Sequence, residues 1–137
     1  MTKGLFQSSA IPLMQEVANF AQLRHTVLAG NIANLDTPGY KFRDLSVDDF
    51  QATLKEAIEA RDKPVDPYRP GKYGPENDPF RATMASKPHT ILRHDKSNVE
   101  LEQQVAEMTK NYMQHNLALS IMRQQFQLLG VAISERL

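Results

Sequence analysis

The chain has 137 residues, with 16 Lys and Arg against 16 Asp and Glu, four His and no Cys. This length suits one domain, and zero formal net charge gives no field to attract phosphate backbones or an anionic membrane, so nucleic-acid binding is not expected. The absence of Cys removes disulfide frameworks, thiolate zinc sites and thiol nucleophiles.

The even charge total conceals an uneven distribution. Residues 1–34 carry only Lys3, Glu16 and Arg24, whereas 22 of the 32 charged residues fall between Leu35 and Lys96. Six of the eight prolines, from Pro64 to Pro88, share that middle stretch. Proline lacks a backbone donor and clashes with the preceding turn, so helix interiors exclude it. The expected fold is mostly α. Long terminal helices form an antiparallel coiled-coil hairpin (1–35 and 97–137), joined by an irregular, partly β middle segment (36–96).

In chain order, Met1 to Pro12 has one Lys and no sustained apolar run, so no cleaved secretory signal is expected. Pro12 suits a first helical turn, after which Met14, Ala18, Ala21, His25, Leu28, Ile32 and Leu35 recur in steps of four and three. A second row, Leu13, Val17, Phe20 and Val27, widens the apolar face and calls for a neighbour that the chain itself is not expected to supply. Small Ala18 and Ala21 favour close approach beside larger Met and Phe knobs.

The run Asn34-Leu35-Asp36-Thr37-Pro38-Gly39-Tyr40 breaks the helix, with Pro38 and Gly39 at the centre of a type II turn. Asn31 and Asn34 are polar where the second row continues. They are expected to make hydrogen bonds that fix register, with a simple helix cap an equal reading for Asn34. A short helix follows near 46–61, capped by Ser46 and carrying Phe50, Leu54, Ala57 and Ile58 on one face. Residues 62–88 form a Pro-rich loop, and Phe80–Met84 and Thr90–Arg93 are expected to pair as short strands.

The C-terminal helix opens at Ser97 with Glu100 three residues on, a capping-box spacing. From there Leu101, Val105, Met108, Tyr112, His115, Leu119, Met122, Phe126, Leu129 and Ile133 alternate in steps of four and three. That 3.5-residue period is the seam of a left-handed coiled coil. Its longest apolar runs, around Ala118 and Leu128, fall far short of the ~20 residues that span a bilayer.

No constellation for catalysis emerges. Asp48-Asp49 fits a helix's first turn, where carboxylates complement the dipole. His89 and His94 lack carboxylates at metal-ligand spacing, and Ser8-Ser9 has no base partner. His25 and His115 stand in apolar seams, where a hydrogen-bonded packing role outweighs a pH-sensing one. No cofactor, metal or small-molecule substrate is expected.

The run Ala29-Gly30-Asn31-Ile32-Ala33-Asn34-Leu35-Asp36-Thr37-Pro38-Gly39-Tyr40 resembles the N-terminal signature of the flagellar basal body rod protein family. Asn98-Val99-Glu100-Leu101, Met108 and Lys110-Asn111 are similar to that family's C-terminal helix, although Lys96-Ser97 stands where the family often has Gly-Asn. The short length and the segment from Leu45 to Leu54 resemble its proximal-rod members most. The resemblance covers about 20 residues at the front and 40 at the back.

It implies a structural subunit of the axial rod that crosses the periplasm, made in the cytoplasm and exported by the flagellar type III apparatus. It also implies terminal helices packed around a central export channel, and a role in torque transmission and motility. The implied partners are other rod proteins, export-gate and basal adapter subunits, and copies of the chain itself in a helical array. Met14, Ala18, Ala21, Leu28 and Ile32 are then expected to pack against Val105, Met108, Tyr112, Leu119, Met122, Phe126 and Leu129, or against their equivalents on neighbours. The alternative, a soluble coiled-coil adapter or secretion chaperone, shares the heptads but gives no reason for the signature run.

Overall fold

A computed structural model describes residues 10–61, 80, 88–90 and 98–134. Two long helices dominate it: α1, Ile11–Ala33, and α3, Asn98–Ser134. At 1.5 Å per residue they are about 34 and 55 Å long. Between them come β1 (Arg43–Asp44), α2 (Val47–Arg61) and β2 (His89–Thr90). The contacts of Ala21 with Asn111, Arg24 with Glu107 and Asn31 with Gln104 run in opposite chain directions, so α1 and α3 form an antiparallel hairpin.

Helix α1 begins with Pro12 in its first turn and no side-chain cap at Ala10. It stops at Ala33, two residues before the expected end, and Leu35 falls in the following turn. Ser46 caps α2 as its sequence suggests: its Oγ accepts the Asp49 backbone N–H at 3.2 Å, and Asp48 and Asp49 sit in the first turn beside the positive end of the helix dipole. The Ser97 cap and residues 62–79 and 81–87 lie outside the described residues.

Two expectations change. The second apolar row of α1 does not wait for an external partner: α2 covers it. Phe20 stacks on Phe50 with ring centroids 4.0 Å apart and planes within 8°, and Leu45 and Phe80 complete a buried cluster flanked by Leu13, Val17, Val27 and Leu54. The middle segment looked too charged for this. It succeeds because its few apolar residues converge on one side of a single turn and helix.

Strand pairing also differs. β2 pairs antiparallel with β1, Arg43 opposite Thr90 and Asp44 opposite His89, rather than with a strand over Phe80–Met84. Phe80 is helical and packs on Phe50 at 5.9 Å, while residues 81–84 and 91–93 lie outside the described set. Within the described residues, no helix is long and apolar enough to cross a membrane.

Candidate assembly interface

The break after α1 is a built turn. The Tyr40 N–H donates to the Thr37 carbonyl at 3.2 Å, enclosing Pro38 and Gly39, and Gly39 has φ +79°. This is the type II geometry that Pro followed by Gly favours. It returns Tyr40 to the helix, where its hydroxyl donates to Asn31 Oδ1 at 3.3 Å.

Asn31, fully buried at 0% exposure, is the centre of this corner. Its Oδ1 also accepts the Arg43 N–H (3.1 Å), and its Nδ2 donates to the Arg43 carbonyl (2.6 Å) and to Gln104 Oε1 (3.0 Å). One side chain thereby joins α1, the turn, β1 and α3. Asn34 acts locally instead, its Nδ2 donating to the Gly30 carbonyl at 2.8 Å and its Oδ1 accepting from the Thr37 hydroxyl at 3.4 Å. Register belongs to Asn31, and the cap reading holds for Asn34.

Two turns earlier, Arg24 is buried where the sequence places only an isolated charge. Its Nε and one amino group hold Asp44 at 2.8 and 2.6 Å, and the same amino group reaches Glu107 at 3.0 Å. The fork links α1 to β1 and to α3. The bond to Asp44 holds the Arg24 pKa above its ordinary value against the opposing effect of burial, and Glu107 adds to it. Lys110, at 2.8 Å from Glu107, and then Arg24 draw the Glu107 pKa below the usual glutamate range, with burial opposing them.

The heptad rhythm of α3 is real, but half of its row is displaced by one residue. A sheltered row runs through Gln104, Met108, Asn111, His115, Ala118, Met122, Gln125 and Leu129, also in steps of four and three, with Glu107 and Ile121 half-buried beside it. Met108, His115, Met122 and Leu129 belong to the row read from hydrophobicity. The rest of that row lies on an exposed face: Leu101, Val105, Leu119, Tyr112 at 59%, Phe126 at 53% and Ile133 at 65%.

On α1, Ala18, Ala21 and Leu28 are buried and Met14 and Ile32 half-buried. His25 is exposed, and Arg24 takes the sheltered place beside it. His25 and His115 instead border a cavity of about 310 Å³ together with Gln22, Asn111 and Tyr112. No described group of three His, Asp or Glu is placed to hold a metal. Buried Ala18, Ala21 and Ala118 bring small side chains to both sides of the hairpin, and Met14 and Phe20 line the same groove as Ala21 and Ala118.

The sequence comparisons converge on one family. The family model for flagella basal body rod proteins matches residues 18–41, the stretch from buried Ala18 through Arg24, Asn31 and the turn to Tyr40. Over that stretch the chain is similar to the flagellar basal body rod proteins. It is 29% identical to the flagellar basal body rod protein FlgB of Aquifex aeolicus over 111 residues, 80% of each chain. It is 25% identical to FlgB of Borreliella burgdorferi over 128 residues, covering 81% of this chain and 85% of that one. A shorter match to FlgB of Escherichia coli reaches 45% over 51 residues, 37% of this chain and 35% of that protein. No solved structure matches the chain at comparable significance. In this chain the matched stretch is the part of α1 and the following turn that build the corner.

Proposed function

We propose that the chain is a structural subunit of the proximal flagellar rod, whose terminal helices pack into the axial shaft, surround the export channel and transmit torque. The exposed heptad face of α3 carries this reading. Val105, Tyr112, Leu119, Phe126 and Ile133 recur every seven residues on an exposed face of α3 that adjoins the row packed on α1. A monomer gains nothing from a repeated apolar stripe in water, whereas a stripe at coiled-coil spacing fits helices of neighbouring subunits.

The partners are other rod proteins and further copies of the chain, with export-gate and adapter subunits at the base of the shaft. Head-to-tail contacts that do not close build an open helical array. In that array Met14, Ala18, Ala21, Leu28 and Ile32 hold the hairpin, Met108, Met122 and Leu129 lie along its edge, and the exposed stripe meets neighbours. The role is structural, with no catalysis and no cofactor.

Deleting the gene and imaging purified basal bodies tests the assignment. Non-motile cells whose basal bodies stop before the rod are expected. Complete rods refute it, and complete rods with impaired secretion of later subunits favour an adapter or chaperone instead.

A further inference from the structure

Polar contacts cross the loop-proximal half of the hairpin beside buried Leu28. Asn31 Nδ2 donates to Gln104 at 3.0 Å, Arg24 donates to Glu107 at 3.0 Å, and Asn111 Nδ2 donates to the Ala21 carbonyl at 2.7 Å. The three α3 residues fall at spacings of three and four, so they form a ladder along one side of the helix. Asn111 is 1% exposed, and its Oδ1 has no hydrogen-bond partner. Leaving that oxygen buried costs free energy, so packing stability alone does not account for an amide at this position. Single polar residues in a coiled-coil seam fix register and partner at a cost in stability.

The chain carries two faces of the same heptad period, one within the hairpin and one exposed. A purely apolar inner seam would not distinguish one heptad from the next. We infer that the ladder of Gln104, Glu107 and Asn111 is a register-selection device, which holds α3 against α1 at a single heptad offset. A slide of one heptad that brings Asn111 opposite Asn31 also places Gln114 opposite Arg24, so the guanidinium loses its α3 carboxylate. An apolar seam would carry no such penalty. This inference does not depend on the exposed stripe's partners, because it concerns the isolated chain.

The absence of native cysteine makes the register directly readable. Met14 and Ala118 lie one heptad on from the Ala21–Asn111 contact and border the same groove. Met14→Cys with Ala118→Cys, oxidised in the full chain at low micromolar concentration, should give almost entirely intramolecular disulfide. Adding Gln104→Leu, Glu107→Met and Asn111→Leu leaves the bonds of Arg24 to Asp44 and of Asn31 to Arg43 in place. Helix content should persist, while the intramolecular product falls at least twofold and cross-linked dimers rise several-fold.

An unchanged, wholly intramolecular product in a folded monomer overturns the inference. If the triple variant does not fold, Gln104→Leu alone carries the same readout: a measurable rise in dimers supports the ladder, and none contradicts it.

Discussion

Asn31 shows how much tertiary structure a single side chain carries. Its four hydrogen bonds fix the helix end, the turn and both neighbouring elements, and each net contribution of roughly 1 kcal/mol disappears together on truncation. Asn31→Ala should therefore lower the unfolding free energy by about 2–4 kcal/mol in urea titration, whereas Asn34→Ala should cost only about 1 kcal/mol as a lost cap. The two glycines of the signature separate in the same way. A Cβ at Gly39 meets nothing within 4 Å, but φ +79° strains any L side chain, so Gly39→Ala should cost about 1 kcal/mol. At Gly30 a Cβ makes ordinary contact with the Tyr40 hydroxyl at 3.8 Å, and Gly30→Ala in mid-helix should raise stability by about 0.5–1 kcal/mol by thermal melting.

The turn was legible because Pro, Gly and Asn have local conformational meanings. The partners of Asn31 were not, since Gln104 lies 73 residues away and nothing local in the sequence marks it as a partner.

Among the elements, α1 sits between two neighbours, and each face uses different physics. Toward α2 it uses aromatic stacking. Phe50→Ala should cost about 3–5 kcal/mol and release α2, measured as lost helix signal and lost amide protection in residues 47–61. Toward α3 it uses the ion network, which sets a pH dependence. Because the folded pKa of Glu107 is lowered, its contribution is present above the unfolded glutamate range, near pH ~4.3, and is lost as pH falls through the folded value. Wild type should therefore lose more stability between about pH 5 and pH 3 than Glu107→Gln does, in denaturant titrations at each pH. Its Arg24 partner is held above its ordinary pKa, so its contribution persists throughout that window.

The sequence displayed the four-three rhythm of α3 but not which row faced inward. Hydrophobicity scores Tyr112 and Phe126 above Asn111 and Ala118, yet small and amide side chains are what fit the close approach. The lone charge at Arg24 in a sparsely charged segment was a usable signal. A buried charge implies a paired charge, and the carboxylates available lay in the middle segment and early α3.

For the whole molecule, the neutral charge total and the concentrated middle charges acquire a structural meaning. α3 carries a single formal charge, Arg123, from Asn111 to Ser134, so copies packed along it in the proposed array would have little repulsion to overcome. The central claim is that this surface serves assembly and is dispensable for folding. Because Tyr112, Leu119 and Phe126 are exposed, Asp at those positions should leave the isolated hairpin's thermal midpoint nearly unchanged, each within about 0.5 kcal/mol.

The decisive measurement is the fraction of purified basal bodies bearing a rod in cells whose only copy carries Tyr112→Asp, Leu119→Asp and Phe126→Asp. With the variant folded and produced at wild-type levels, rods should be absent and the cells non-motile. Rods on as many basal bodies as in wild type would contradict the account.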